Sequence, residues 1–248
     1  MLYDYINGKK DITEVLDSKV EIKETKKIPQ ENEFTFDNGV KAWASAIFVD
    51  IVSSSQFFAS DSISENVKSR ILRSFVEQLV SIFNENEYIF EIGIRGDCVY
   101  AVFRAELKEN IVSVFRTAYC ANTFLKMFNK MLAARKYPLI QAGVGIGTGY
   151  DLIIKAGKKR VVYDKIWVGQ SLVNASNLSQ IANRNGYDSI CLDDNTYTNI
   201  IEILKNEDVN YLHWIKAASS PKYSGIFYQC NIVQTSFNEW IEKGMPNE

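Results

Sequence analysis

The sequence predicts an α+β fold in which a mostly antiparallel sheet is flanked by helices. Two long amphipathic segments, 62–85 and 108–135, are mixed with short β-rich runs. Two of those runs, 87–94 and 98–103, are separated only by Arg95-Gly96-Asp97, a turn sequence that reads as a hairpin. The order also lacks the regular strand–helix–strand alternation of a doubly wound parallel sheet.

The first 35 residues are rich in charge and end in ETKKIPQENE, which reads as an arm or linker with a short helix around 12–16. An apolar run, AWASAIFVDI at 42–51, has the length and β-branched content of a buried strand. Ser62 and Glu65 have capping-box spacing ahead of the first long helix. The second long helix places Val112, Phe115, Tyr119 and Phe128 at apolar positions, and Pro138 separates it from the next strand, LIQAGVGIGTG. The strand continues through 151–156, and a basic turn at Lys158-Lys159-Arg160 and a strand over 161–168 lead into a helix at about 170–183. A short strand at 188–192 precedes a helix capped by Asp193 or Asp194 and ending near Leu204. Strands at 211–217 and 225–232 and a helical tail with Trp240 complete the chain.

Bulk properties narrow the chemistry. The 248 residues are 46% hydrophobic and 23% charged, the composition of an ordinary globular core. A net charge of −2 argues against broad binding to nucleic acid or anionic membrane. No run approaches the roughly 18 apolar residues of a spanning helix, and the polar N-terminus does not read as a signal peptide. A cytoplasmic protein is expected. The four cysteines are widely spaced in apolar surroundings and read as free thiols. The single histidine, His213, excludes a multi-histidine metal site within one chain; its neighbours Leu212 and Trp214 suggest a strand residue.

Asp50 ends an apolar strand, where a carboxylate is costly unless its charge is used. Asp97 sits in the hairpin turn. Two such carboxylates suit hard divalent cations, whose preferred ligands are oxygens. Strand-end and turn aspartates are also common in purely structural roles, so the pair alone does not decide. After Asp50 the chain reads IVSSSQFF, small residues opening a helix whose backbone N–H groups could face a triphosphate. The Ile51 carbonyl is a further oxygen ligand. The alternating Gly143, Gly145, Gly147 and Gly149 leave one strand face bare, a groove for a nucleotide or for a close-packed helix.

FVDIVSSSQF, GDCVYAVF at 96–103, QAGVGIGTG at 141–149 and IWVGQSLVNASNLS at 166–179 occur in the order of the class III nucleotidyl cyclase motifs. The chain resembles that family from about 42 to 179, and its tail, GIFYQCNIVQTSFNEWI, is similar to the bacterial anti-phage pyrimidine cyclases of the Pycsar systems. The resemblance implies a ferredoxin-like core within a catalytic domain at 39–235, between an arm at 1–38 and a tail at 236–248. It implies that the ribose 3′-hydroxyl of a nucleoside triphosphate attacks the α-phosphate. Asp50, Asp97 and the Ile51 carbonyl would hold two Mn²⁺ or Mg²⁺ ions, and Phe48, Asn174 and Asn177 would face the nucleotide. Arg95, two residues before Asp97 and on the same strand face, is either a contact to the base or a phosphate or a solvated turn arginine. A homodimer with sites at its interface is implied, as is a cyclic product sensed by a separate effector protein.

The match departs at the base. The position of the purine-reading lysine is Gly93, the transition-state arginine aligns with Asn177, and the ribose-contacting asparagine falls at Val173, one place before Asn174. Asp164 lies near the second base-reading position, and Lys222 in a Ser-Pro-Lys turn is either a phosphate ligand or a surface lysine. UTP or CTP is the expected substrate, with UTP preferred on the resemblance alone. An adenylate or guanylate cyclase with unusual base readout, and a non-catalytic nucleotide-binding module, remain as alternatives.

Overall fold

A computed structural model of the protein describes residues 3–158 and 160–247. The chain runs α1 (Tyr5–Asp17), β1 (Glu21–Glu24), a 3₁₀ turn, β2 (Asn38–Ile51), α2 (Ser54–Ala59), α3 (Glu65–Asn84), β3 (Ile89–Arg95), β4 (Cys98–Arg104) and α4 (Lys108–Ala134). It continues β5 (Ala142–Lys158), β6 (Val162–Val168), α5 (Gln170–Ser179), β7 (Ile190–Asp193), α6 (Asp194–Glu207), α7 (Tyr211–Trp214), β8 (Lys216–Ser220), β9 (Tyr223–Cys230) and α8 (Thr235–Glu242). The expected α+β class holds. The main sheet has the order β3-β4-β2-β5-β7-β9-β8, with β1 beside β2 and β6 beside the outer half of β5. Only β1–β2 and β5–β7 are parallel pairs among the described residues. No helix among these residues is long and apolar enough to cross a membrane.

Period-two alternation sorts the sheet into two faces. Ile47, Val49 and Ile51 of β2 join Val99, Ala101 and Phe103 of β4 against α3 and α4, whose Phe75, Phe83, Phe115 and Phe124 are fully enclosed. The alternate residues Phe48, Asp50 and Tyr100 face the other way. There α5 crosses the inner half of β5. The stripe of glycines is what admits it: a Cβ at Gly143, Gly145 or Gly147 would lie 2.2, 2.0 or 2.3 Å from the carbonyl oxygens of Ser179, Ala175 and Ser171. The groove therefore holds a helix rather than a nucleotide. Farther along this face Ile28 and Phe34, from the segment before β2, pack beside Tyr100 and Val102.

Several local expectations are corrected. Ser64, not Ser62, caps α3 by accepting from Val67 N, while Ser62 pairs its hydroxyl with Ser60. The segment 211–217 is not one strand. A turn at Asp208, which accepts from Asn210 N, starts the short helix α7, and β8 begins only at Lys216. That run was too short for periodicity to separate strand from helix. His213 is accordingly an exposed helical residue. The N-terminal helix is longer than expected because Asp4 caps it two turns earlier, accepting from Ile6 N and Asn7 N. Asp193 does cap α6, and the cysteines are free, though Cys98 and Cys120 are only half-buried. Lys159 of the basic turn lies outside the described residues.

Candidate active site

Antiparallel register assembles the site. β2 pairs with β4 so that Asp50 stands opposite Cys98, which places Asp97, at the end of the hairpin turn, beside it. Gly96 takes φ 63°, the left-handed conformation that lets the chain reverse there. On the other side β5 brings Gly143 opposite Asp50, and its missing side chain leaves space for Arg184 from the loop after α5. After Ile51 the chain turns into α2 through Ser53, a non-glycine residue at φ 55°. Left-handed backbone of this kind costs on the order of 1–3 kcal/mol and concentrates at functional sites.

The two carboxylates are poorly served by the protein. Asp97 Oδ2 is buried and has no hydrogen-bond partner. Asp50 Oδ2 accepts from Arg184 Nη2 at 2.7 Å, and the same nitrogen reaches the Ile51 carbonyl at 3.3 Å. Burial raises the Asp50 pKa; Arg184 opposes that shift and the neighbouring Asp97 adds to it. Burial, together with both carboxylates, pushes the Cys98 thiol up to about 12, which keeps it protonated and out of nucleophilic chemistry. An orphaned carboxylate oxygen, a second carboxylate and a backbone carbonyl that, among the described side chains, only Arg184 reaches across the site form an all-oxygen donor set that fits a hard divalent cation.

Next to this pair lies an aromatic platform. Phe48 and Tyr100 are cross-strand partners, stacked with ring centroids 5.0 Å apart, and the Arg95 guanidinium sits 5.9 Å from the Tyr100 ring. Gly93 is the β3 partner of Tyr100, and a Cβ there would lie 2.2 Å from the ring. The tyrosine thus occupies the space above Gly93. Its hydroxyl donates to Glu91 at 3.3 Å, and Glu91 also accepts from Trp167 Nε1 at 3.4 Å.

The sequence-selected residues therefore divide. Asp50, Ile51, Asp97, Phe48 and Arg95 come together at one end of β2–β4. Asn177, exposed on α5, lines a separate pocket of about 280 Å³ with Gln180, Ile181, Arg184 and Lys222. Asn174 is turned elsewhere: its amide donates to the buried Asp193 at 2.9 Å. Asp164 is exposed and accepts from Lys165 N. Two residues were missed from sequence. Arg184 had no local signal, since its partner is 134 positions away. Tyr100 was detectable as the aromatic residue two before Val102 in GDCVYAVF, but its place over Gly93 is a matter of register.

No family-level sequence profile matches the chain. It is 37% identical over 251 aligned residues to a curated uridylate cyclase of Treponema porcinum, covering 99% of this chain and 83% of that protein. A second uridylate cyclase, from Gulbenkiania mobilis, is 25% identical and aligns over 97% of this chain and 96% of the relative. Among solved structures, the adenylyl cyclase CyaB from P. aeruginosa superposes with a TM-score of 0.62 at 17% identity, covering 77% of this chain and 95% of that one. The guanylate cyclase domain of RhGC from Catenaria anguillulae, in complex with GTP, gives 0.56 at 14% identity, with 77% and 97% covered. With near full-length kinship to a curated uridylate cyclase and the fold of the adenylyl and guanylyl cyclases, the chain belongs to the uridylate cyclase family and is a nucleotidyl cyclase.

Proposed function

We propose that the chain is a pyrimidine nucleotide cyclase, converting UTP, or CTP, to a 3′,5′-cyclic nucleotide and pyrophosphate. The observation that carries the choice of base is the Tyr100 ring lying over Gly93. A long side chain reaching toward a purine cannot stand where that ring lies, and the filled space favours a smaller base. The kinship to proteins named uridylate cyclase supports UTP over CTP.

In this reading Asp50, the Ile51 carbonyl and Asp97 bind two Mn²⁺ or Mg²⁺ ions. Among the described residues no third acidic, cysteine or histidine side chain completes a metal cage, which suits ions whose remaining ligands are substrate phosphates. When bound, such ions supply stabilisation of charge on the attacking and leaving oxygens. The ribose 3′-oxygen attacks the α-phosphorus, the bond to the pyrophosphate leaving group breaks, and the hydroxyl proton passes to solvent. Phe48 and Tyr100 present an aromatic face beside the reacting centre, and Arg95 offers its charge to the base or a phosphate. A homodimer completes each site. In support, Ile226, which lines a pocket with Asn174, is 59% exposed, and Val173, next to Asn174 in the chain, is 49% exposed, apolar surface a second copy would cover. The cyclic product then serves as a second messenger in anti-phage defence, read by a separate effector.

The test is product identification from an equimolar mixture of the four triphosphates with Mn²⁺, using the purified chain and Asp50→Ala as control. Cyclic UMP or cyclic CMP with equimolar pyrophosphate is expected from the native chain alone. Cyclic AMP or cyclic GMP as the main product would overturn the assignment of base.

A further inference from the structure

We propose that Arg184 is an exchangeable counter-ion of the active site: its guanidinium holds Asp50 and the Ile51 carbonyl until a divalent cation takes them, and then turns to a phosphate of the substrate. The proposal rests on the metal reading of Asp50 above and deepens it.

Three observations meet at this side chain. First, Nη2 donates to Asp50 Oδ2 at 2.7 Å and to the Ile51 carbonyl at 3.3 Å, two of the three oxygens that β2 contributes to the donor set. A guanidinium and a metal ion cannot use the same lone pairs, and as like charges they repel at that separation. Second, Nη1 is held independently, by Ser179 O at 2.7 Å and Ala182 O at 3.0 Å at the end of α5. Losing Asp50 therefore lets the group pivot about this anchor without leaving the site. Third, Arg184 borders the pocket it shares with Asn177, Gln180, Ile181 and Lys222. That lining has two cations, two amides and no acid, so it favours an anion. A phosphate accepting from the freed guanidinium edge and from Lys222 satisfies both, and the forked donors of arginine match phosphate oxygens better than a single ammonium does. Asn177 carries no charge at the position the resemblance gives to a cation, and Arg184, seven residues farther on, supplies one to the same pocket.

The experiment uses the purified full chain without nucleotide, titrated with Mn²⁺ and followed by the electron paramagnetic resonance signal of free Mn²⁺. Arg184→Gln is expected to bind Mn²⁺ tighter, on the order of tenfold, because the competitor is gone. A residue that merely oriented Asp50 would give the opposite sign. With Mn²⁺ saturating, inorganic pyrophosphate binding measured by calorimetry is expected to weaken about tenfold or more in the same variant. Weaker or unchanged Mn²⁺ binding by Arg184→Gln, or unchanged pyrophosphate affinity, would overturn the proposal. Arg184→Lys cannot hold the α5 carbonyls and Asp50 at once; it should shift both constants the same way by a smaller factor, and it serves if the glutamine variant does not fold. Asp50→Asn separates the two readings: if it binds Mn²⁺ as tightly as the native chain, the metal assignment fails, whatever Arg184 does.

Discussion

Asp193, buried at the end of β7, and Asp50, half-buried near the end of β2, are carboxylates on the two strands that flank β5, and they are served in opposite ways. Asp193, 2% exposed, accepts from Thr148 N, from Thr196 N and Oγ1 and from the Asn174 amide. Thr148 and Ser45 extend that network through their hydroxyls. Burial raises the Asp193 pKa, and all that opposes it is hydrogen bonding. Asp50 has one guanidinium, and beside it Asp97 adds repulsion and leaves an oxygen orphaned. A carboxylate wrapped in fixed dipoles is structural. A pair left short of partners holds binding capacity in reserve for a ligand that arrives later, and that difference separates scaffold from site.

The largest expected effect is on turnover. Asp97→Ala should lower cyclase activity about a thousandfold or more, equivalent to about 4 kcal/mol, while the urea midpoint stays within about 1 kcal/mol of the native chain. A comparable loss of stability would mean Asp97 is a structural residue like Asp193. Asp193→Ala should behave the other way. It leaves the Thr148 and Thr196 amides and the Asn174 side chain without their acceptor, at a cost of about 3 kcal/mol, visible as a lower thermal midpoint even with the metal chelated. Gly145→Ala tests the scaffold beneath both. A methyl 2.0 Å from the Ala175 carbonyl must push α5 off the sheet, at roughly 2–3 kcal/mol in stability; unchanged melting would show that the helix is not held by that contact.

The smallest effect concerns Asp50 itself. Its folded-state pKa is raised, so the native state holds the proton more firmly than the unfolded chain does. The stability this gives is present at low pH and is lost as pH rises through the folded pKa. With divalent ions chelated, Asp50→Asn should therefore be at least as stable as the native chain at pH 7. That advantage should shrink as pH falls through the raised pKa of Asp50 and be gone below the ordinary carboxylate value near 4. Denaturant melts at the two pH values read it; a native chain more stable than the variant at pH 7 would show that Arg184 outweighs burial.

Much of this is legible in the amino-acid sequence. The apolar run ending in Asp50, the Arg-Gly-Asp hairpin turn and the amphipathic helices each carry a local periodicity or turn chemistry, and each forms where it was read. The failures have local causes too: the segment 211–217 has too few residues to separate period 2 from period 3.6, and three serines near α3 competed for one cap. The glycine stripe left two readings open because a bare strand face says nothing about what covers it. Asn174 could not be placed, since a helical residue's partner depends on which face meets the sheet.

The chain alone determined the metal pair as a candidate, because strand alternation and a tight turn place two aspartates by short-range geometry. Only the tertiary structure decided how those charges are balanced. The Arg184–Asp50 pair joins residues 134 positions apart through the packing of α5 on the sheet, and the Tyr100 ring stands over Gly93, seven residues away, through the register of the β3–β4 hairpin. A local pattern can say that a carboxylate is enclosed; which cation reaches it, and which ring fills the adjacent space, follows from how the elements pack.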